Sequence, residues 1–230
     1  MNIFYTKSMD EYGSSVLGLT NIGIAAVVAI ILIIAVLALA ITGKDKKSVR
    51  FSTTQLIMSA MAIALSTVTS MIHLFDMPMG GSITLCSMLF ISLIGYWYGP
   101  VAGITTGMAY GLLQFIINPI FYTIPQMLTD YPLAFGALGL SGLVFRKKNA
   151  LTVRYIISVL GRYFFAFISG WIFFGEYAAD YNMGAVVYSI LYNGLYLIPE
   201  AVITVAIINI PLVKNAIKTI STNIYNGRFS

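Results

Sequence analysis

The sequence predicts an all-α integral membrane protein, and three observations carry that class. Hydrophobic residues make up 59% of the 230 residues and charged ones 9%, against about 25% charged in an ordinary soluble domain, and the mean hydropathy is +0.88. Apolar runs separated by short polar breaks supply about seven stretches near the ~20 residues that one bilayer crossing needs. The cations also collect in alternate breaks, as the positive-inside rule requires.

The first run extends from Asn21 to Gly43, with apolar character reaching back to about residue 16. Its leader carries Asp10 and Glu11 against Lys7, and it exceeds a signal-peptide core of about 7–15 residues, so the spacing predicts a retained helix. Lys44-Asp-Lys-Lys47 with Arg50 follows and is assigned to the cytoplasm, which puts the N-terminus outside. Residues 1–50 are therefore expected to form an N-terminal transmembrane helix with a basic linker, and residues 51–230 a six-helix domain.

The six further spans fall at about 53–74, 83–98, 100–117, 126–145, 152–174 and 185–212. Arg146-Lys147-Lys148 and Arg154 separate the fourth from the fifth, and Lys214, Lys218 and Arg228 follow the sixth. All are cytoplasmic in this count, as is the C-terminus. The outer loops hold Asp76, then Glu176 with Asp180, and no Lys or Arg. The net charge of +5 is thus accounted for by topology signals and gives no argument for nucleic acid.

Several chemistries are excluded. No GxxxxGK[ST] phosphate loop and no HExxH occur, so neither P-loop ATP hydrolysis nor that metalloprotease chemistry is expected. One histidine, His73, supports no triad, and the lone Cys86 permits neither an internal disulfide nor a CxxC site. Cys86 reads as a buried small residue and His73 as a solvated or interfacial imidazole. No cofactor and no resident metal is implied.

Three ionisable residues, Asp130, Arg162 and Glu200, remain as candidates inside the spans once those at the helix ends are assigned to topology, and each costs on the order of 2.5–3.5 kcal/mol to insert. Arg162 and Glu200 lie midway along antiparallel neighbours, a placement that allows them to pair, and they are assigned to a structural or secondary site. Pro199 precedes Glu200 and should kink that helix. Asp130 has no evident basic partner. Gln126 lies four residues before it on the same helix face, and Tyr131 starts the adjoining stripe. Tyr188, Tyr192 and Tyr196 run down one side of the last span, Asn193 on a second stripe, with Phe174 and Tyr177 in the loop before it. A carboxylate, amides and phenols gathered toward the outer half suit a flat, cationic, heteroaromatic solute. Rings stack on it, its charge gains about 0.5–2 kcal/mol per well-placed ring, and the carboxylate neutralises it.

Met79-Gly-Gly-Ser-Ile-Thr-Leu85 with Ser87-Met88, Gly111-Leu-Leu-Gln114, Gln126 through Gly142, Arg162-Tyr-Phe-Phe165 with Ile168-Ser-Gly170, Phe174-Gly-Glu-Tyr-Ala178 and Tyr188 through Gly194 carry a family resemblance. Over about residues 53–205 the chain resembles the thiamine-specific substrate-binding (S) components of energy-coupling factor (ECF) vitamin transporters. The resemblance implies a six-helix S-component bundle, here with one extra N-terminal helix. Such a bundle captures thiamine from outside and docks on a membrane scaffold protein carrying two cytoplasmic ATPases, itself performing no catalysis. It implies that Asp130 and Tyr131 bind the cation, that Tyr188 and Asn193 line the pocket, and that Ala60 and Ala64 dock on the scaffold. Gln126, Phe174 and Tyr177 join the substrate-binding set from the residue reading. Where members often have a histidine four residues after the arginine, Ala166 stands; where some have tryptophan, Phe174 stands; and Phe90 replaces a proline usual after Ser-Met. A related thiamine precursor, a pyrimidine or thiazole, is the alternative ligand, and a non-transport membrane accessory protein the alternative role.

Overall fold

The computed structural model of the chain describes residues 5–9, 15–20, 22, 25, 51–143 and 150–226. Strands β1 (Tyr5–Met9) and β2 (Ser15–Leu19) pair antiparallel, so residues 15–19 are strand where the N-terminal helix was expected to be starting. Ile22 and Ala25 are helical, and the rest of that expected helix, with the basic clusters at 44–50 and 146–148, lies outside the described residues.

Helix α1 (Thr53–Ser70) opens at Ser52, whose hydroxyl accepts from Gln55 N–H as an N-cap. It stops four residues before the expected end because His73–Asp76 (β3) pairs antiparallel with Ser82–Thr84 (β4) in a hairpin. Helix α2 (Ser87–Tyr98) therefore begins four residues later than expected, after Cys86 in a left-handed conformation at φ 58°. At about 18 Å it is short for a membrane crossing. It is also a centre of the core, with Met88, Ile91 and Ile94 fully buried. Gly99 ends it, and Pro100 opens α3 (Pro100–Ile117) at a position where its missing N–H is harmless.

The fourth span is a composite. α4 (Ile124–Leu128) runs into a π turn (Thr129–Leu133), then α5 (Ala134–Gly136), then a 3₁₀ stretch (Ala137–Gly142). Pro132 has no N–H to return to Leu128, and Ala134 N–H reaches back five residues to Thr129, which widens the turn carrying Asp130. α3 packs on this composite through glycines four residues apart. A Cβ at Gly103 would stand 2.7 Å from Gly139, one at Gly107 would strike the Phe135 carbonyl, and one at Gly111 the Tyr131 carbonyl. Backbones meet here at a distance only glycine permits.

α6 (Ala150–Phe173) and α7 (Ala185–Asn209) pack together, joined by a 3₁₀ turn (Gly175–Tyr181). The last span ends at Asn209, not 212, because Ile210 leaves the helical conformation and Pro211 opens α8 (Pro211–Tyr225). The six expected core spans thus correspond to α1, α2, α3, the composite, α6 and α7. Among the described residues, α3, Leu151–Phe173 and α7 are long and apolar enough to cross a membrane. Their outer faces expose Val101, Leu160, Phe164, Ile198 and Val202, as lipid-facing helices do.

Candidate functional site

A cavity of about 630 Å³ opens between the hairpin, the composite helix, α6, the 3₁₀ turn and α7. That volume suits a drug-sized molecule, for which pockets run about 300–1,000 Å³. Asp130 and Tyr131 line it from the π turn, Arg162 and Ala166 from α6, Phe174 and Tyr177 from the 3₁₀ segment, and Tyr188 and Asn193 from α7.

Two aromatic groups make the walls. On one side Tyr181, Tyr188 and Tyr192 follow one another as tilted rings at 5.6 and 5.8 Å between centroids, with Tyr196 edge-on to Tyr192. On the other, Tyr122 meets Phe174 edge-on at 5.2 Å, Phe174 stacks on Tyr177, and the Tyr122 and Tyr177 hydroxyls are hydrogen-bonded at 2.7 Å. These rings present both faces and edges to a bound ring, the two geometries that aromatic contacts favour.

Asp130 is half-buried and held by the Gln126 amide, which donates to Oδ2 at 2.7 Å. The same amide donates to the Ile120 carbonyl at 3.2 Å and accepts from Tyr122 N–H at 3.1 Å. Gln126 is 0% exposed and does not line the cavity. The expectation that it reads the ligand is corrected: its donors and acceptor are committed to the protein, and it aims the carboxylate. The Tyr131 hydroxyl donates to the Asn118 carbonyl (2.8 Å) and accepts from Ile120 N–H (3.0 Å), which leaves its ring to face the cavity. Asn193 donates to the Ser189 and Ala166 carbonyls and accepts from the Tyr196 hydroxyl, so it braces α7 on α6 while lining the cavity.

The expected Arg162–Glu200 pair does not form. Arg162 lies 4.2 Å above the Phe135 ring and lines the cavity, whereas Glu200 is buried beneath it among hydroxyl and amide donors of residues 84–88. Neutral donors stabilise the Glu200 carboxylate, and the ring face stabilises the guanidinium. Among the described residues the close contact of salt-bridge geometry is that of exposed His73 with Asp76, at 3.3 Å, so Asp130 has no salt-bridge partner. Ala60 and Ala64 lie on an exposed face of α1 with Leu56, Ile57, Met61 and Leu65, away from the cavity. Among the described residues no group of acidic, His and Cys side chains is arranged to hold a metal.

Residues 56–220 match the thiamine transporter protein family (Thia_YuaJ). The chain belongs to that family. It is 37% identical over 161 residues to the thiamine transporter ThiT of Bacillus subtilis, covering 64% of this chain and 82% of that relative. Against the ThiT of Lacticaseibacillus paracasei identity is 28% over 144 residues, with 53% and 69% covered. A solved structure of ThiT from Listeria monocytogenes superposes with a TM-score of 0.61 at 28% identity, covering 71% of this chain and 95% of that one. This thiamine transporter family member is therefore a multi-pass membrane protein with a transporter's role, and its first 55 residues lie outside the family match.

The family member's cavity includes residues that were not assigned to the site from sequence. Tyr192 and Tyr196 line it, and their four-residue spacing after Tyr188 was the visible signal. Tyr122 and Met77–Gly80 also line it, but they come from loops where spacing carries no information about facing.

Proposed function

We propose that this chain is the substrate-capture subunit of an ECF-type importer and takes thiamine from outside into the cavity at the hairpin end of the bundle. The observation that carries the reading is Asp130, a carboxylate without a cationic partner among the described residues, set in an aromatic-walled cavity of a thiamine transporter family member. Thiamine joins an aminopyrimidine to a thiazolium of permanent positive charge. The two tyrosine groups supply stacking faces, Asp130 supplies the counter-charge, and a desolvated wall strengthens that attraction over its value in water. Asp130, Tyr131, Phe174, Tyr177, Tyr188 and Asn193 form the binding set, with Tyr192 and Tyr196 added.

Capture is separate from energy supply. The chain has no phosphate loop, so ATP hydrolysis belongs to two cytoplasmic partner subunits bridged by a scaffold protein. The exposed Ala60-x3-Ala64 face of α1 offers the close approach that membrane helices use for docking. Lys214 and Lys218 follow the end of α7 opposite the cavity, which supports a cytoplasmic C-terminus and an outward mouth. Vesicles holding the chain with a co-expressed scaffold and ATPases should accumulate thiamine only with ATP inside. Accumulation by the chain alone without ATP would refute the subunit role.

A second ligand reading has a specific observation behind it: Ala166 and Phe174, two of the three departures from the family pattern, both line the cavity. Smaller side chains there favour a related pyrimidine or thiazole. Mass spectrometry of the molecule that co-purifies with the chain separates the readings.

A further inference from the structure

Glu200 is 2% exposed, does not line the cavity and, among the described residues, has no salt-bridge partner, yet it keeps a carboxyl group inside a membrane helix. All three donors to it come from one short segment. The Thr84 hydroxyl donates to Oε2 at 2.7 Å, and the Ser87 hydroxyl and Met88 N–H donate to Oε1 at 2.9 and 3.3 Å. Thr84 closes β4, and Ser87 and Met88 open α2, so this segment is the root of the hairpin.

The tip of the same hairpin lies on the same helix. Gly80 and Gly81 have φ of +95° and +76°, and a Cβ would stand 3.3 Å from the Tyr192 ring at Gly80 and 2.8 Å from the Tyr196 ring at Gly81. Tyr192, Tyr196 and Glu200 follow one another at four-residue intervals along one face of α7. The hairpin is therefore fixed to α7 at two heights. Ring contacts hold its tip over the cavity, and a buried carboxylate holds its root. The anion also sits at the N-terminus of α2, where the helix dipole favours it.

We infer that Glu200 is a positioning residue that latches the hairpin root to α7, keeps Met77–Gly81 closed over the ligand, and so sets how slowly the ligand leaves. The ligand in this inference rests on the thiamine-capture reading; the latch does not. Contacts made by the tip alone would let the hairpin swing about residues 84–86. With the root fastened, opening requires breaking buried hydrogen bonds to a charged group, which are stronger than neutral ones.

The test uses the 230-residue chain in lipid nanodiscs, with the variants Thr84→Val, Glu200→Ala and the two combined. Amide hydrogen exchange of residues 77–85 is read without ligand, and thiamine dissociation by stopped flow. Thr84→Val should speed hairpin exchange and thiamine dissociation about tenfold, the scale of one lost buried hydrogen bond to a charge, and Glu200→Ala, which removes all three, at least as much. Exchange in α6 should stay unchanged, and the double variant should be no faster than the worse single one. Native hairpin exchange in Thr84→Val, or faster exchange spread equally over α6, overturns the latch. If Glu200→Ala does not fold, Thr84→Val decides alone. If the native chain does not bind thiamine, the capture reading fails while hairpin exchange still decides the latch.

Discussion

Asp130 and Gln126 divide one task between them: the carboxylate faces the cavity, and the amide beneath holds it there at 2.7 Å. Asp130→Asn keeps the shape and removes the charge. Thiamine affinity should fall about 100-fold, the scale of losing a desolvated charge partner, with the melting temperature little changed. Gln126→Leu leaves the charge but frees its direction and strips partners from Tyr122 N–H and the Ile120 carbonyl, so both affinity and stability should fall. Calorimetry with thermal scans on both variants separates aiming from binding. Asp130 was legible in the sequence as a charge in an apolar run, and its i, i+4 relation to Gln126 was legible too. That Gln126 turns inward was not, because its other partners are backbone groups of residues 120 and 122, and spacing carries no trace of them. The Arg162–Glu200 expectation failed for a similar reason. Position along two helices allows a pair, but facing was decided by the Phe135 ring and by the donors at residues 84–88.

The π turn and the glycine stripe set where the site sits. Pro132 prevents the ordinary hydrogen bond to Leu128 and so holds open the turn that bears Asp130. Pro132→Ala lets that turn tighten into α-helix and rotate Asp130 relative to Ala134. Thiamine binding should weaken more than the melting temperature falls, as titration and thermal scans of the same preparation would record. Gly107→Ala should act in the opposite sense. Its Cβ would strike the Phe135 carbonyl, forcing α3 off the composite helix at about 1–3 kcal/mol, typical of overpacking, so the melting temperature should drop even without ligand. Apolar periodicity located six core spans, and their ends erred where tertiary pairing intervened. Residues 73–74 and 83–84 were read as the ends of helices, yet they belong to strands 73–76 and 82–84, which pair with each other across the hairpin.

At the scale of the molecule, and among the described residues outside the membrane spans from residue 51 onward, charge is sorted by end, with Arg162 the cation inside the cavity wall. Asp76, Glu176 and Asp180 belong to the segments around the cavity mouth, Asp180 lining the cavity itself, while Lys214 and Lys218 lie beyond the far end of α7. A cationic solute should be steered inward, so its association rate should fall as salt rises from about 10 to 150 mM, where the screening length shrinks from about 30 to 8 Å. Dissociation should change little, because the bound ligand is shielded by the hairpin and the rings. Stopped flow across that salt range tests the asymmetry, and a salt-independent association rate would contradict it.

A calorimetric titration of the purified 230-residue chain decides whether this cavity captures thiamine. Heat is the better readout because neither Trp97 nor Trp171 lines the cavity. Saturable one-site binding tighter than about 10 μM, equivalent to roughly −7 kcal/mol, is expected, largely lost in Asp130→Asn. No heat of binding at that concentration, or equal affinity in the variant, would contradict it.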